Sequence, residues 1–273
     1  MTRRRIAILA APWLMTTAVI GAPDDGPGLR AETLAGWGAY IRTVEHRTSP
    51  HAGADAFLSV DGRGDEGAAR RRVMAGGLVI ESVDPAESAG TAVDVPHAMV
   101  HHWRGTVFVP GISAHELVDA LERDGPDTAQ EDVLAARVLE RGPGRQRVFL
   151  QVRRSKVVTA VFNTEHDVRF ARPAPDRATS RSAATRIREV ARHGEPGERE
   201  LPPGEDRGFL WRWNAYWRYQ DASGGVIVEC ESVSLSRTVP AVVRFVAGPI
   251  IRGTATESLE RTLLALRDRF ASP

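Results

Sequence analysis

The chain has 273 residues, 36 Lys plus Arg against 35 Asp plus Glu, and 42 % hydrophobic residues. That is length enough for one large domain or for one domain with an appendage, and the near-balance of charge gives no reason to expect a nucleic-acid partner. The single cysteine, Cys230, excludes an intrachain disulfide, a thiolate metal cluster and, because it lies far from the start, an acylated lipoprotein anchor.

Arg3, Arg4 and Arg5 precede an apolar run from Ile6 to Ile20, followed by Gly21, Ala22 and a polar stretch that opens with Pro23, Asp24 and Asp25. A basic start, a short apolar run and small residues form the layout of a secretory signal peptide. The run is shorter than the roughly 20 apolar residues of a membrane span and contains Pro12. Residues 1–22 are therefore expected to be removed near Gly21 or Ala22, leaving a slightly acidic periplasmic or extracellular protein. The alternative is an uncleaved N-terminal anchor.

Residues 29–47 place Leu34, Trp37, Ile41 and Val44 on one face of an amphipathic helix. EGAARRRVMAGG reads as a short helix and LVIESV as a strand, so 23–95 is expected to be a small, helix-rich N-terminal module. From Pro96 the rhythm changes. HHWRGTVFVPG is a strand that ends at a turn, and SAHELVDALERDGP is a helix whose Ser113 and Glu116 make a capping box and whose end is marked by Gly125-Pro126. VLAARVLER, RVFLQVRRSKVVTAVFNTEHDVRF and ATSRSAATRIREV alternate as strands do. The Gly-, Pro- and Glu-rich stretch 192–208 is a long loop, and GFLWRWNAYWRYQ and GGVIVECESVSLSR form a hairpin across Asp221–Gly224. The chain closes with VPAVVRFVAGPIIRG and then a helix carrying Leu259, Leu263, Leu266 and Phe270 on one face, with Thr254 and Glu257 placed for a second capping box.

A strand, a helix, several antiparallel strands and a long terminal helix follow the order of the helix-grip fold. In that α+β fold a curved antiparallel sheet wraps the last helix and leaves a cavity between them. HHWRGTVFVPG, QEDVLAARVLER, FNTEHDVRF, PPGEDRGFLWRWNAYWRY and VIVECESVSLSR resemble bacterial proteins of the START-like, polyketide-cyclase-like (SRPBCC) superfamily over about 95–270. The resemblance implies a helix-grip domain over 96–273 and a cavity; it implies no reaction, since one fold hosts many chemistries.

Alternation divides the strand VFNTEHDVRF into two faces. Thr164 and His166 lie on the apolar face with Phe162, Val168 and Phe170, while Glu165 and Asp167 face the other way. His166 is thus the polar group offered to the cavity, either as a histidine satisfied by neighbouring hydroxyl or carbonyl groups or as a ligand contact. In the hairpin, Trp217 is expected opposite Val228, Ala215 opposite Cys230, Trp213 opposite Ser232 and Trp211 opposite Ser234, so that Trp211, Trp213, Trp217 and Ser232 form a cavity wall. The other face carries Asn214, Tyr216, Arg218, Glu229 and Glu231. It is expected as an outer polar ladder with diagonal Arg–Glu contacts, and with the faces reversed it becomes a buried polar site. The sites expected to touch ligand are therefore His166, Thr164, Trp211, Trp213, Trp217 and Ser232, with the five polar residues as the alternative set.

Other chemistries find little support. His101 and His102 point to opposite faces of a strand and no carboxylate stands at a supporting spacing, so no metal is expected. HELVD has Asp119 where the zinc motif HExxH needs its second histidine. No phosphate-binding glycine loop and no GxSxG elbow occurs, hence no cofactor is expected and no catalytic residue is assigned. The expected function is an exported protein binding a small hydrophobic or amphipathic, lipid-like molecule. The alternatives are a cyclase, dehydratase or hydrolase using the same cavity, and a structural or partner-binding envelope protein. Peripheral contact with a membrane or the envelope is left open.

Overall fold

The computed structural model describes residues 29–48, 57–61, 67–84, 93–126, 128, 130–155, 159–238 and 241–271, with side chains of 241–255 excepted. The expected signal segment lies outside them. Helix α1 (Ala31–Thr48), a 3-10 turn (Ser59–Asp61), α2 (Ala68–Met74) and strand β1 (Val79–Ser82) precede β2 (Ala98–Pro110) and α3 (Ala114–Asp124). Strands β3 (Val133–Gly142), β4 (Arg145–Ser155), β5 (Thr159–Ala174), β6 (Arg177–Ala191), β7 (Arg199–Glu200), β8 (Arg212–Ala222) and β9 (Gly225–Arg237) follow, and α4 (Ala241–Phe270) closes the chain. The strands form one antiparallel sheet in the order β1-β2-β9-β8-β6-β5-β4-β3, with β7 added to β6.

This is the helix-grip α+β fold. Leu259 and Leu263 of α4 are buried against Val107, Val228, Cys230 and Tyr219 on the concave face, where α3 adds Leu117 and Val118. Gly105 explains how closely the helix approaches β2. A Cβ there would meet Leu263 Cδ1 at 2.5 Å, so any larger residue would push the helix off the sheet. The expected capping box on α3 is present, with the Ser113 side chain accepting from the Glu116 amide and the Glu116 carboxylate accepting from the Ser113 amide. The one expected at Thr254–Glu257 is not a helix start, because α4 runs unbroken from Ala241.

On the convex face the N-terminal elements cover half of the sheet. Helix α1 buries Trp37, Tyr40, Ile41 and Val44 against Tyr216, Val233 and Leu235, while Leu58, Val60 and Val73 pack on Ile227. Leu34, expected on the buried face, is 38 % exposed, and Tyr40 and Thr33 are buried instead. The α1 face is thus rotated toward a polar contact with the sheet: Thr33 Oγ1 donates to the Pro96 carbonyl, and Tyr40 reaches His102.

The hairpin register departs from the expected one. Ala222 pairs with Gly225, so the turn is only Ser223-Gly224, with Gly224 at φ 80°. Trp217 therefore meets Cys230, Ala215 meets Ser232, Trp213 meets Ser234, Arg218 meets Glu229 and Tyr216 meets Glu231. The slip is two residues, so every side chain keeps its face.

Candidate functional site

Between the concave face and α4 lies a cavity of about 230 Å³. Its body is apolar: Leu121, Val133, Val148, Leu150, Val152, Val168 and Phe170 with Trp213, Trp217 and Leu266. Polar groups stand in three places, one of them Gln146, whose amide donates to the Glu122 carbonyl. His166, Ser180, Ser182 and Tyr219 stand together on neighbouring strands, and Gln130, Asp132, Arg154 and Thr262 stand toward α4. A second, more open depression of about 400 Å³ lies beside α3 and is lined by charged residues such as Asp119, Glu122 and Arg141, the first two of which pair with Arg172. Exposed ion pairs of that kind give little binding energy.

His166 is 3 % exposed and borders the cavity. Its Nε2 lies 3.0 Å from Thr164 Oγ1, its Nδ1 lies 3.1 Å from Ser182 Oγ, and its ring meets Trp213 edge-on at 5.1 Å. Burial pushes its pKa down to about 4, so the imidazole is neutral at pH 7. Both ring nitrogens have hydroxyl partners, as expected for a satisfied histidine. Glu165 and Asp167 lie on the opposite face in half-exposed pairs with Arg147, Arg186, Arg145 and Arg169. The alternation therefore holds through β5. The extra residue falls in β6, where Thr185 bulges between the pairs Glu165–Arg186 and His166–Ala184.

Of the residues expected to touch ligand, His166, Trp213 and Trp217 line the cavity. Three do not. Thr164 is fully buried behind His166, and Ser232 accepts the Trp213 Nε1–H at 3.2 Å, fixing that ring rather than bordering the space. Trp211 precedes β8, donates to Asp206 Oδ1 at 3.0 Å and packs against the α1 cluster, so it is walled off from the cavity. Ser180, Ser182 and Tyr219 were missed, although Ala178, Ser180 and Ser182 share a face in ATSRSAATRIREV. Their place becomes evident only when β6 is seen to lie between β5 and β8.

Toward α4, Arg154 bonds Asp132 Oδ2 at 2.7 Å and Ser258 Oγ donates to the same oxygen at 3.2 Å. Asp132 Oδ1 is buried, and no group among the described residues bonds it. This pair is a second missed feature; its partners are 22 residues apart, brought together by the β3–β4 pairing.

The alternative polar set is neither an outer ladder nor part of the cavity. Asn214, Tyr216, Arg218, Glu229 and Glu231 are all at least nine-tenths buried, on the convex face beneath the N-terminal module. Glu231 is the hub. Its Oε1 accepts His102 Nε2–H at 2.7 Å and an Arg47 guanidinium N–H, and its Oε2 accepts from Arg104 at 3.2 Å and Arg218 at 3.3 Å. With Nε2 donating, His102 Nδ1 accepts the Tyr40 hydroxyl at 2.5 Å. Glu229 takes the Ser59 amide at 2.8 Å, the Ser59 hydroxyl and Arg218 at 2.5 Å. Burial alone would raise the Glu231 pKa, but His102, Arg104 and Arg47 hold it well below the usual carboxylate range. Burial lowers the His102 pKa against the opposing pull of the Glu231 carboxylate. With both carboxylates engaged by partners across the module–sheet contact, this set fastens the module. It offers nothing to a ligand.

The histidines weighed for metal do not converge: His97 pairs with Glu32, His101 bonds Ser236 Oγ, and His102 serves the network. Among the described residues no group of three or more His, Cys, Asp or Glu could hold a metal ion, and no helix is long and apolar enough to cross a membrane. Cys230 is buried and its thiol pKa is pushed up by burial, which makes it unreactive.

No protein-family model matches the sequence, and no curated protein matches it. The chain is similar to several solved structures. A protein from Thermus thermophilus is 13 % identical, with 61 % of this chain and 94 % of that one covered, at a TM-score of 0.42. A STAR-related lipid transfer protein fragment from Xanthomonas axonopodis is 16 % identical over 71 % of this chain and 99 % of that one, at a TM-score of 0.38. The Zhui aromatase/cyclase from Streptomyces sp. R1128 is 14 % identical over 63 % and 93 %, at a TM-score of 0.39. At such identities and TM-scores the likeness carries no statement about what this chain does.

Proposed function

We propose that this protein binds a small apolar or amphipathic molecule between the concave sheet face and α4. The observation that carries the reading is the cavity itself: about 230 Å³, walled by Trp213, Trp217, Phe170 and aliphatic side chains, with a few clustered hydroxyls and an ion pair. Such a mixture, mostly apolar with few polar groups that fix orientation, is what ligand sites look like. The volume falls just below the roughly 300–1,000 Å³ of sites for drug-sized ligands. A single chain or a fused-ring molecule suits it better than a two-chain lipid.

Binding is preferred to catalysis because of the surroundings of His166. Its partners are two hydroxyls, no carboxylate among the described residues contacts the ring, and its low pKa makes it a weak base. We further propose export after cleavage near Gly21 or Ala22, supported by the basic start and short apolar run. Native mass spectrometry of protein purified from its own exported fraction, with N-terminal sequencing, tests both. The expected result is a chain beginning near Ala22 or Pro23 with a bound small-molecule mass. Empty protein that takes up neither naphthalene nor 2-naphthol would overturn the binding reading, and soluble cytoplasmic protein retaining Met1 would overturn export.

A further inference from the structure

We propose that the cavity reads the hydrogen-bonding sense of its ligand. Ser182 presents an acceptor only, so the molecule bound there carries a neutral hydroxyl donor, as an alcohol or phenol does, on an apolar body. This rests on the reading of the cavity as a binding site and narrows its ligand class.

A backbone carbonyl sets the direction. Thr164 Oγ1 lies 3.0 Å from the Leu150 carbonyl oxygen, which can only accept, so the one hydroxyl hydrogen of Thr164 points there. Thr164 Oγ1 is then an acceptor toward His166 Nε2 at 3.0 Å, which places the imidazole proton on Nε2. The lone pair on Nδ1 is left facing Ser182 Oγ at 3.1 Å and takes that hydroxyl's hydrogen. This arrangement makes three hydrogen bonds. The reverse one, with Thr164 donating to Nε2 and Nδ1–H donating to Ser182, makes two and strips the Leu150 carbonyl of its side-chain donor. In a site where unmade hydrogen bonds are expensive, three bonds win over two.

Ser182 borders the cavity, is not fully buried, and its hydroxyl has no other hydrogen-bond partner among the described residues. Its remaining lone pairs are what it can show a ligand. A hydroxyl meets them as a donor, whereas a ketone or ether brings oxygen against oxygen. The nearby Ser180–Tyr219 pair, 3.1 Å apart, can run either way and does not discriminate.

Three probes of nearly equal shape separate the possibilities: 2-naphthol, 2-methoxynaphthalene and naphthalene, titrated into the wild-type protein at pH 7. The expected result is 2-naphthol binding at least about tenfold tighter than 2-methoxynaphthalene, against the greater hydrophobicity of the ether. Ser182→Ala should shrink that gap to about threefold or less. Thr164→Val removes the hydroxyl that holds the proton on Nε2. The imidazole N–H then turns to Ser182, whose hydroxyl is freed to donate, and the preference should vanish or invert toward the ether. Equal affinities for all three probes in the wild type would overturn the proposal while leaving the cavity as a binding site; no binding of any probe would overturn both. A gap that persists undiminished in folded Ser182→Ala would also overturn it, and that variant decides the matter should Thr164→Val fail to fold.

Discussion

The two faces of the β8–β9 hairpin are built from alternate residues of the same two strands, yet they solve opposite problems. On the concave side Trp213, Ala215, Trp217 and Tyr219 leave space; the polar groups beside them are the neutral hydroxyls and imidazole of Ser180, Ser182 and His166, and the Arg154–Asp132 pair stands apart toward α4. On the convex side Asn214, Tyr216, Arg218, Glu229 and Glu231 are charged or strongly polar and leave none, because α1 and the Ser59–Asp61 turn supply Glu45, Arg47 and Ser59 as partners. Polar residues at period two therefore mark a site only where a neighbouring element fails to complete them. Here the carboxylates of Glu229 and Glu231 are paired with groups of the module, and the constellation is a fastening, although Arg47 Nε, Arg218 Nε and Glu229 Oε1 make no hydrogen bond among the described residues.

The comparison breaks most visibly at Glu231. Glu231→Ala strands Arg47, Arg104, Arg218 and His102 around a missing carboxylate and should cost about 3–5 kcal/mol in urea unfolding. A loss below about 1 kcal/mol would mean that the network does not hold the module. On the other face, Leu263→Ala should cost about 2–5 kcal/mol, since Leu263 is wholly buried against the sheet over Gly105. A loss below about 0.5 kcal/mol would mean that α4 does not plug the core.

The pH dependence sharpens the contrast. His166 has its folded pKa lowered from 6.5 to about 4 by burial, so the unfolded chain binds more protons between those values and stability falls as pH drops through that window. The loss attributable to this residue is on the order of 3 kcal/mol. Glu231, which burial would raise but the His102 hydrogen bond and the Arg104 and Arg47 charges depress, contributes stability that is full above the ordinary carboxylate pKa and is lost progressively as pH falls from there toward its lowered folded value. Urea unfolding at pH 7, 5.5 and 4.5 should show the decline. His166→Asn should lessen it, leaving the share of His101, whose pKa burial likewise lowers to about 4, while costing about 1–3 kcal/mol at pH 7 through the stranded hydroxyls. A slope unchanged in that variant would contradict a neutral, buried His166. The smallest effect is expected at Glu165 and Asp167, half-exposed on the arginine-bearing outer face: Ala at either position should change stability by no more than about 1 kcal/mol and probe affinity not at all.

Much of this was legible in the sequence because it depends on local pattern. The α3 capping box, the alternation that parts His166 from Glu165 and Asp167, and the faces of the hairpin all follow from spacing, and the faces survived a two-residue error in register. What was not legible depends on partners far along the chain. Nothing near Glu231 says that Arg47 will reach it, so a set that reads as solvent-facing or as a site proved to be a buried contact. Trp211 looked like its neighbours Trp213 and Trp217, but it lies before the strand begins, where Asp206 and the α1 cluster claim its ring. Ser182 gave no signal because a serine in a strand matters only through what stands beside it, here a histidine on β5 whose proton is set by a carbonyl on β4.

Ala215 is the most direct point at which to test the cavity as the binding site, since it is the small residue between Trp213 and Trp217 and its side chain borders the space. Ala215→Phe fills that space from within, and the measurement is 2-naphthol affinity alongside the unfolding free energy of the same variant. The expected result is a folded protein in which probe binding is lost. A folded Ala215→Phe protein that binds 2-naphthol with wild-type affinity would contradict the cavity between sheet and helix as the place where this protein holds its ligand.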